Sequence, residues 1–89
     1  MATMFVRHEV ADFGKWKQIY DAFSDTQKRY GVTAEAVYQA AGNPNDVTVT
    51  HEFGSVAAAQ QFASSDDLRK TMGRAGIIGE PTIWFATPA

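Results

Sequence analysis

Phe5-Val6-Arg7-His8-Glu9-Val10-Ala11-Asp12-Phe13-Gly14-Lys15-Trp16 reads as a strand, a one-residue corner, a helix cap and the first turn of an amphipathic helix. Side chains alternate along a strand, so Met4, Val6, His8 and Val10 share one face and Phe5, Arg7 and Glu9 the other. Asp12 can accept from the free amides of the helix's first turn. Phe13 and Trp16 then face back toward the strand. His8 is thereby placed on an apolar face, beneath a large aromatic, with any polar partner supplied from elsewhere in the chain.

Outward from this stretch, apolar residues recur at three and four. Phe13, Trp16, Tyr20, Phe23, Gln27 and Tyr30 predict one helix over residues 13–30, and Gly31 supplies a left-handed stop. A second strand over residues 32–41 has apolar and small residues in both phases. Gly42-Asn43-Pro44-Asn45-Asp46 is a turn signal. Residues 47–53 alternate most cleanly, with Val47, Val49, His51 and Phe53 on one face and Thr48, Thr50 and Glu52 on the other. Ser55 caps the next helix, whose stripe is Ala58, Ala59 and Phe62. Ser64-Ser65-Asp66-Asp67 breaks it and starts a further helix over residues 66–74. Residues 76–81 read as a loop, and residues 82–86 as the last strand.

Strand, helix, strand, strand, helix, strand is the ferredoxin-like split pattern, so the expected class is α+β: βαββαβ, one four-stranded antiparallel sheet with helices on one face and the second helix broken. The first and third strands are then central neighbours. Counting inward from their ends places His8 opposite Val49 or His51, with the imidazoles on one face and within roughly 5–8 Å of each other. The opposite face, with Phe5, Arg7, Glu9, Thr48, Thr50 and Glu52, is too mixed for a core. A second subunit packed across it would account for that mixture, with Arg7 and Glu52 as a cross-strand pair.

Length and composition bound the function classes. The 89 residues fit one domain, residues 1–89. A chain of this size buries only about 60–65% of its unfolded surface, and without cysteine it has no disulfide or thiolate metal staple, which favours association. A net charge of −2 lacks the basic footprint of a nucleic-acid binder. No apolar run approaches the ~20 residues that span a bilayer. Met1-Ala2-Thr3-Met4 has neither region of a signal peptide, so the expected location is cytoplasmic.

Residues 6–13 with Trp16, Asn43-Pro44-Asn45-Asp46-Val47, residues 64–72 and Ala75-Gly76-Ile77-Ile78-Gly79-Glu80-Pro81 together resemble short bacterial proteins of the dimeric α/β-barrel superfamily, near the antibiotic biosynthesis monooxygenase branch and its cyclase-labelled members. The resemblance implies a homodimer whose sheets form a barrel, with a pocket in each subunit between sheet and helices. It also implies chemistry of the kind done by cofactor-free quinone-forming monooxygenases, lactone isomerases or haem-degrading oxygenases. His8, Asp12 and Trp16 match the subfamily pattern. His51 stands where that pattern has an aliphatic or aromatic residue.

The candidate site follows. Burial lowers a histidine's proton affinity and keeps it neutral, which suits a base at pH 7. His8 and His51 are therefore the candidate catalytic residues, and Trp16, Tyr20, Phe62 and Met72 the candidate substrate-binding wall. The plain alternative is a buried histidine pair and a core-forming aromatic stripe. A metal site lacks a third ligand, because Glu9 and Glu52 point away from the histidines. Asp66 and Asp67 are explained by the first turn of a helix. The leading expectation is an enzyme without a cofactor, acting on a small aromatic or polyketide-like molecule as a monooxygenase, isomerase or cyclase. The alternatives are a non-catalytic homodimer that binds a small hydrophobic ligand, and a structural domain with a filled core.

Overall fold

The alternation of the first strand is realised as β1 (Ala2–Val10), where Ala2, Met4, Val6, His8 and Val10 are all buried. The structure, a computed structural model, describes Met1–Ala89. The remaining elements are α1 (Phe13–Ala22), α2 (Ser24–Arg29), β2 (Ala34–Ala40), β3 (Asn43–Phe53), α3 (Val56–Ala63), α4 (Asp66–Arg74) and β4 (Ile77–Ala86). The strands form one antiparallel sheet in the order β2-β3-β1-β4. This is the expected ferredoxin-like architecture. Val47, Val49, His51 and Phe53 of β3 are buried beside the even-numbered residues of β1, so a single sheet face carries the core.

Caps fix the helix starts. Asp12 accepts from the Lys15 amide at 3.2 Å, Ser55 from the Ala58 amide at 3.1 Å and Ser65 from the Leu68 amide at 3.2 Å. The break at Ser64 and Ser65 occurs where the sequence places it. The first helix is also broken, which its periodicity did not predict. The Phe23 amide turns to the Tyr20 carbonyl at 3.1 Å, a tightened last turn. Ser24, Asp25 and Thr26 follow, residues whose side chains compete with helical hydrogen bonding. The new axis of α2 still buries Gln27, at 3% exposure.

Two other boundaries differ from expectation. The turn after β2 is confined to Ala41 and Gly42, where Gly42 takes φ +82°. Asn43 and Pro44 already belong to β3, and the ladder shifts between Gln39 and Ala40, which accommodates a proline with no amide to donate. At the other end, residues 77–81 are not a loop but the start of β4. Ile77 and Ile78 pair with Val10 and Glu9, Thr82 pairs with Arg7, and the register shifts between them.

The longer β3 also corrects the register. His8 lies opposite Val47, Val6 opposite Val49, and Met4 opposite His51. The two histidines share a face, as alternation requires. They are four positions apart along the ladder, about 13 Å at ~3.3 Å per residue, rather than adjacent. The proposed Arg7–Glu52 pair is likewise replaced. Glu52 faces Thr3, and Arg7 forms a two-pronged pair with Asp46 at 2.7 and 3.1 Å.

The core has two halves. Met4, Phe23, Phe53, Phe62 and Leu68 gather toward one end of the sheet, with Ala59 and Val6. Val10, Trp16, Val47, Val49 and Ala75 gather toward the other.

Candidate functional site

A narrow cavity of about 40 Å³ is lined by residues from both core halves, among them Val6, Phe23 and Leu68 from one and Trp16, Val49 and Ala75 from the other. His8, Tyr20, His51 and Met72 also line it. Five of the six residues singled out from the sequence therefore meet on one cavity. Phe62 does not line it. It packs against His51, ring centroids 5.4 Å apart and steeply inclined, and is fully buried in the core behind that imidazole. Ile19, Phe23 and Thr71 are shared between this cavity and a wider surface groove bordered by Thr26, Asp67, Lys70 and Arg74.

An aromatic file along α1 joins the two histidines. The His8 ring meets Trp16 edge-on at 5.5 Å, Trp16 stacks on Tyr20 at 4.9 Å, and Tyr20 lies 6.1 Å from the His51 ring. Trp16 and Tyr20 are four apart on a helix and so share its inner face. That spacing places one aromatic over each histidine of the sheet.

The two imidazoles differ in their surroundings. His8 is 7% exposed, and neither ring nitrogen has a hydrogen-bond partner. Burial lowers its pKa. On its β4 side the ladder is interrupted between Arg7 and Glu9. Gly79 with φ +72° and Pro81, which has no amide, lie in that interruption. The extra residues of this bulge lie on β4, so His8 has no β4 partner while it keeps Val47 on its β3 side.

His51 is 3% exposed, and its pKa is pushed down to about 4 by burial, with the negative charge of Glu35 opposing the shift. Its Nε2 lies 3.4 Å from the Tyr20 hydroxyl, while its Nδ1 has no partner. The Tyr20 hydroxyl donates to Glu35 Oε2 at 2.6 Å. Burial and Glu35 together hold the Tyr20 pKa well above the ordinary tyrosine range, with Gln27 acting in the opposite direction.

Glu35 is the residue that sequence reasoning missed. It is directly opposite His51 on the β2–β3 ladder. The small residues on both sides of β2 conceal which phase faces the helices, so no sequence signal assigned Glu35 to the histidine face. Gln27 and Thr71 were missed as cavity residues too, although Gln27 lies on the predicted buried stripe. No group of three or more His, Cys, Asp or Glu side chains is placed to hold a metal ion. No helix is long and apolar enough to cross a membrane.

An antiparallel β2-β3-β1-β4 sheet with its core on one face, and a histidine-bearing cavity in that core, defines a ferredoxin-like α+β protein with an internal pocket. The same fold is that of the antibiotic biosynthesis monooxygenases, ferredoxin-like dimeric α/β barrels. A Bordetella bronchiseptica protein named as a candidate antibiotic biosynthesis monooxygenase superposes with a TM-score of 0.85 at 12% identity, covering 99% of this chain and 96% of its own. SnoaB, a cofactor-independent oxygenase from Streptomyces nogalater, superposes with a TM-score of 0.75 at 12% identity, covering 99% and 94%. A conserved protein from Methanosarcina mazei Go1 is 20% identical, with a TM-score of 0.77 over 97% and 91% of the two chains. No family model matches the sequence, and no curated protein does. At these identities the likeness establishes the fold.

Proposed function

We propose that the protein is a cofactor-independent enzyme of the monooxygenase, isomerase or cyclase type, acting on a small aromatic molecule in the cavity between sheet and helices. The observation that carries this reading is His8: a buried imidazole, kept neutral, unpartnered at both nitrogens and among the residues that line a cavity walled by aromatic and aliphatic side chains. A neutral imidazole in such a place can take a proton from an acidic hydroxyl or carbon. The resulting anion is the electron-rich species that oxygen, or an internal electrophile, attacks. Trp16 and Tyr20 supply flat walls against which an aromatic ring stacks, and Met72 supplies an adaptable contact. SnoaB, with the same fold, is a cofactor-independent oxygenase, which supports the class of chemistry. At about 40 Å³ the cavity is smaller than the ~150 Å³ that holds a benzene ring, so its walls must part to admit one.

The reading includes a homodimer formed through the open sheet face. Trp84 there is 42% exposed and stacks on Phe5 with centroids 5.2 Å apart, and Tyr38 on the same face is 58% exposed. Aromatic surface of this kind is what a second sheet would cover.

Oxygen uptake and product analysis across a panel of phenols and quinols tests the proposal. Turnover by the wild type that is lost in His8→Phe, with the fold intact, is the expected result. Ligand binding without turnover by any panel member would select the non-catalytic binding protein instead.

A further inference from the structure

Three groups at the β2–β3 side of the cavity form a chain: the Glu35 carboxylate, the Tyr20 hydroxyl and the His51 imidazole. Glu35 and His51 are cross-strand partners, and Tyr20 reaches down from α1 to touch both. We propose that Glu35 is a positioning residue which, through Tyr20, holds His51 as the tautomer protonated on Nε2, so that His51 offers a bare Nδ1 to a hydroxyl-bearing aromatic ligand. This rests on the enzyme reading for its ligand, but its structural half can be read without one.

The assignment follows from counting protons. A carboxylate accepts and does not donate, so the single hydroxyl proton of Tyr20 is committed to Glu35 Oε2 at 2.6 Å. Toward His51 the Tyr20 oxygen can then only accept, which requires a proton on Nε2, 3.4 Å away. A neutral imidazole carries one N–H. Nδ1 therefore has a free lone pair, and it is buried without any protein partner. The logic is that of a hydrogen bond at one ring nitrogen setting the role of the other. His8 has no such partner and no fixed tautomer.

The ligand chemistry is set accordingly. A bare nitrogen accepts, so the group facing His51 is a donor, as a phenolic or enolic hydroxyl is and an ether or ketone oxygen is not. The same chain gives a departing proton a way out. As the ligand O–H bond breaks, Nδ1–H forms. Nε2–H passes to the Tyr20 oxygen, whose own hydroxyl proton passes to Glu35. The net products are a ligand oxyanion and a protonated Glu35 on the exposed side of β2, with no oxidant or reductant involved. The elevated proton affinity of Tyr20 disfavours a tyrosinate between the two inner transfers.

The test is long-range proton–nitrogen NMR of the 15N-labelled protein at pH 7, where ring nitrogens with and without a proton are well resolved. The wild type should show His51 protonated on Nε2 and bare on Nδ1. Glu35→Ala releases the Tyr20 hydroxyl proton to turn toward Nε2 and should shift His51 toward the Nδ1-protonated form. Glu35→Gln retains a carbonyl acceptor for Tyr20 and should keep the wild-type tautomer, separating hydrogen bonding from charge. Glu35 is exposed, so both variants retain the packed core. An Nδ1-protonated His51 in the wild type, or an unchanged tautomer in Glu35→Ala, overturns the assignment. Phenol should move the Nδ1 resonance and anisole should not; no shift from phenol, or an equal shift from anisole, overturns the ligand class. A correct tautomer with no turnover anywhere in the substrate panel would sink the enzyme reading and leave the positioning role of Glu35 standing.

Discussion

Removing the imidazole at position 51 should flatten part of the protein's acid sensitivity, and the size of the effect can be worked from its burial. In the folded chain His51 titrates at about 4, against an unfolded value of about 6.5. Between those values the unfolded chain binds the extra proton and the folded chain does not. Stability from this residue is therefore complete above about pH 6.5 and declines as pH falls toward 4. Each tenfold change in proton affinity is worth about 1.4 kcal/mol, so the full decline is on the order of 3 kcal/mol. The titratable groups facing His51 are Tyr20 from α1 and Glu35 from β2, and from α3 it meets only the apolar Phe62. Tyr20 stays protonated throughout this range, and Glu35 already enters the His51 value. His51→Leu removes this contribution and leaves the surface carboxylates common to both proteins. Urea or thermal unfolding of wild type and variant at pH 7 and pH 4, at one fixed protein concentration, isolates it as a difference. The wild type should lose about 3 kcal/mol more than the variant across that interval, or roughly 12–24 °C more in Tm for a domain of this size. Equal losses in the two proteins would show that His51 is not buried neutral, and the site as described would fail with it.

His8→Phe should stabilise the protein at pH 7 by about 1–2 kcal/mol, because it removes two buried nitrogens that have no partner; a melting temperature well below wild type would show that those nitrogens are satisfied in solution. The same variant should lose turnover, and a fully active His8→Phe would remove it from the chemistry. Sedimentation at micromolar concentration should give a mass of two chains for wild type and one for Trp84→Lys, since a charge would stand in the aromatic patch with Phe5; a single-chain wild type would refute the covered sheet face. Ser65→Ala should cost about 1 kcal/mol by exposing the first turn of α4, whose Leu68 amide it caps, and a change below a few tenths would show that Asp66 and Asp67 suffice for that helix.

The sheet and its core face were legible because they depend on period. Alternation at Met4, Val6, His8 and Val10, and again at Val47, Val49, His51 and Phe53, assigns each residue to a face whatever strand it pairs with. Register depends on where a strand starts, and here it was set by chemistry the alternation does not carry. Pro44 reads as turn, yet it sits in β3 beside a ladder shift. Starting the strand before it moves every β1 partner by at least two residues. A two-residue slip preserves faces and changes neighbours, which is why both histidines appear on the expected face and at the wrong separation. Glu35 was hidden for a related reason. In Ala34-Glu35-Ala36-Val37 neither face outweighs the other, so only the observed pairing with His51 assigns it. The interruption opposite His8 was written into Gly79 and Pro81, but both residues serve equally well in a loop.

The separation of the imidazoles changes what kind of site this is. Adjacent histidines would share a proton and titrate as a pair. At about 13 Å along the ladder, with Trp16 and Tyr20 between them, each responds to its own surroundings. His51 is fixed by a polar chain that reaches solvent, whereas His8 is held by shape alone beneath an edge-on indole. Orientation without hydrogen bonds leaves either nitrogen of His8 able to donate or accept. The cavity therefore has one end whose hydrogen-bonding sense is set before a ligand enters and one end that can adapt to it. On the proposed enzyme reading, a molecule with a single hydroxyl would be oriented by such a pocket, because the His51 end would take only the donor. The atom presented to His8 would then be whatever lies across the ring, and that is the position at which the proposed base would act.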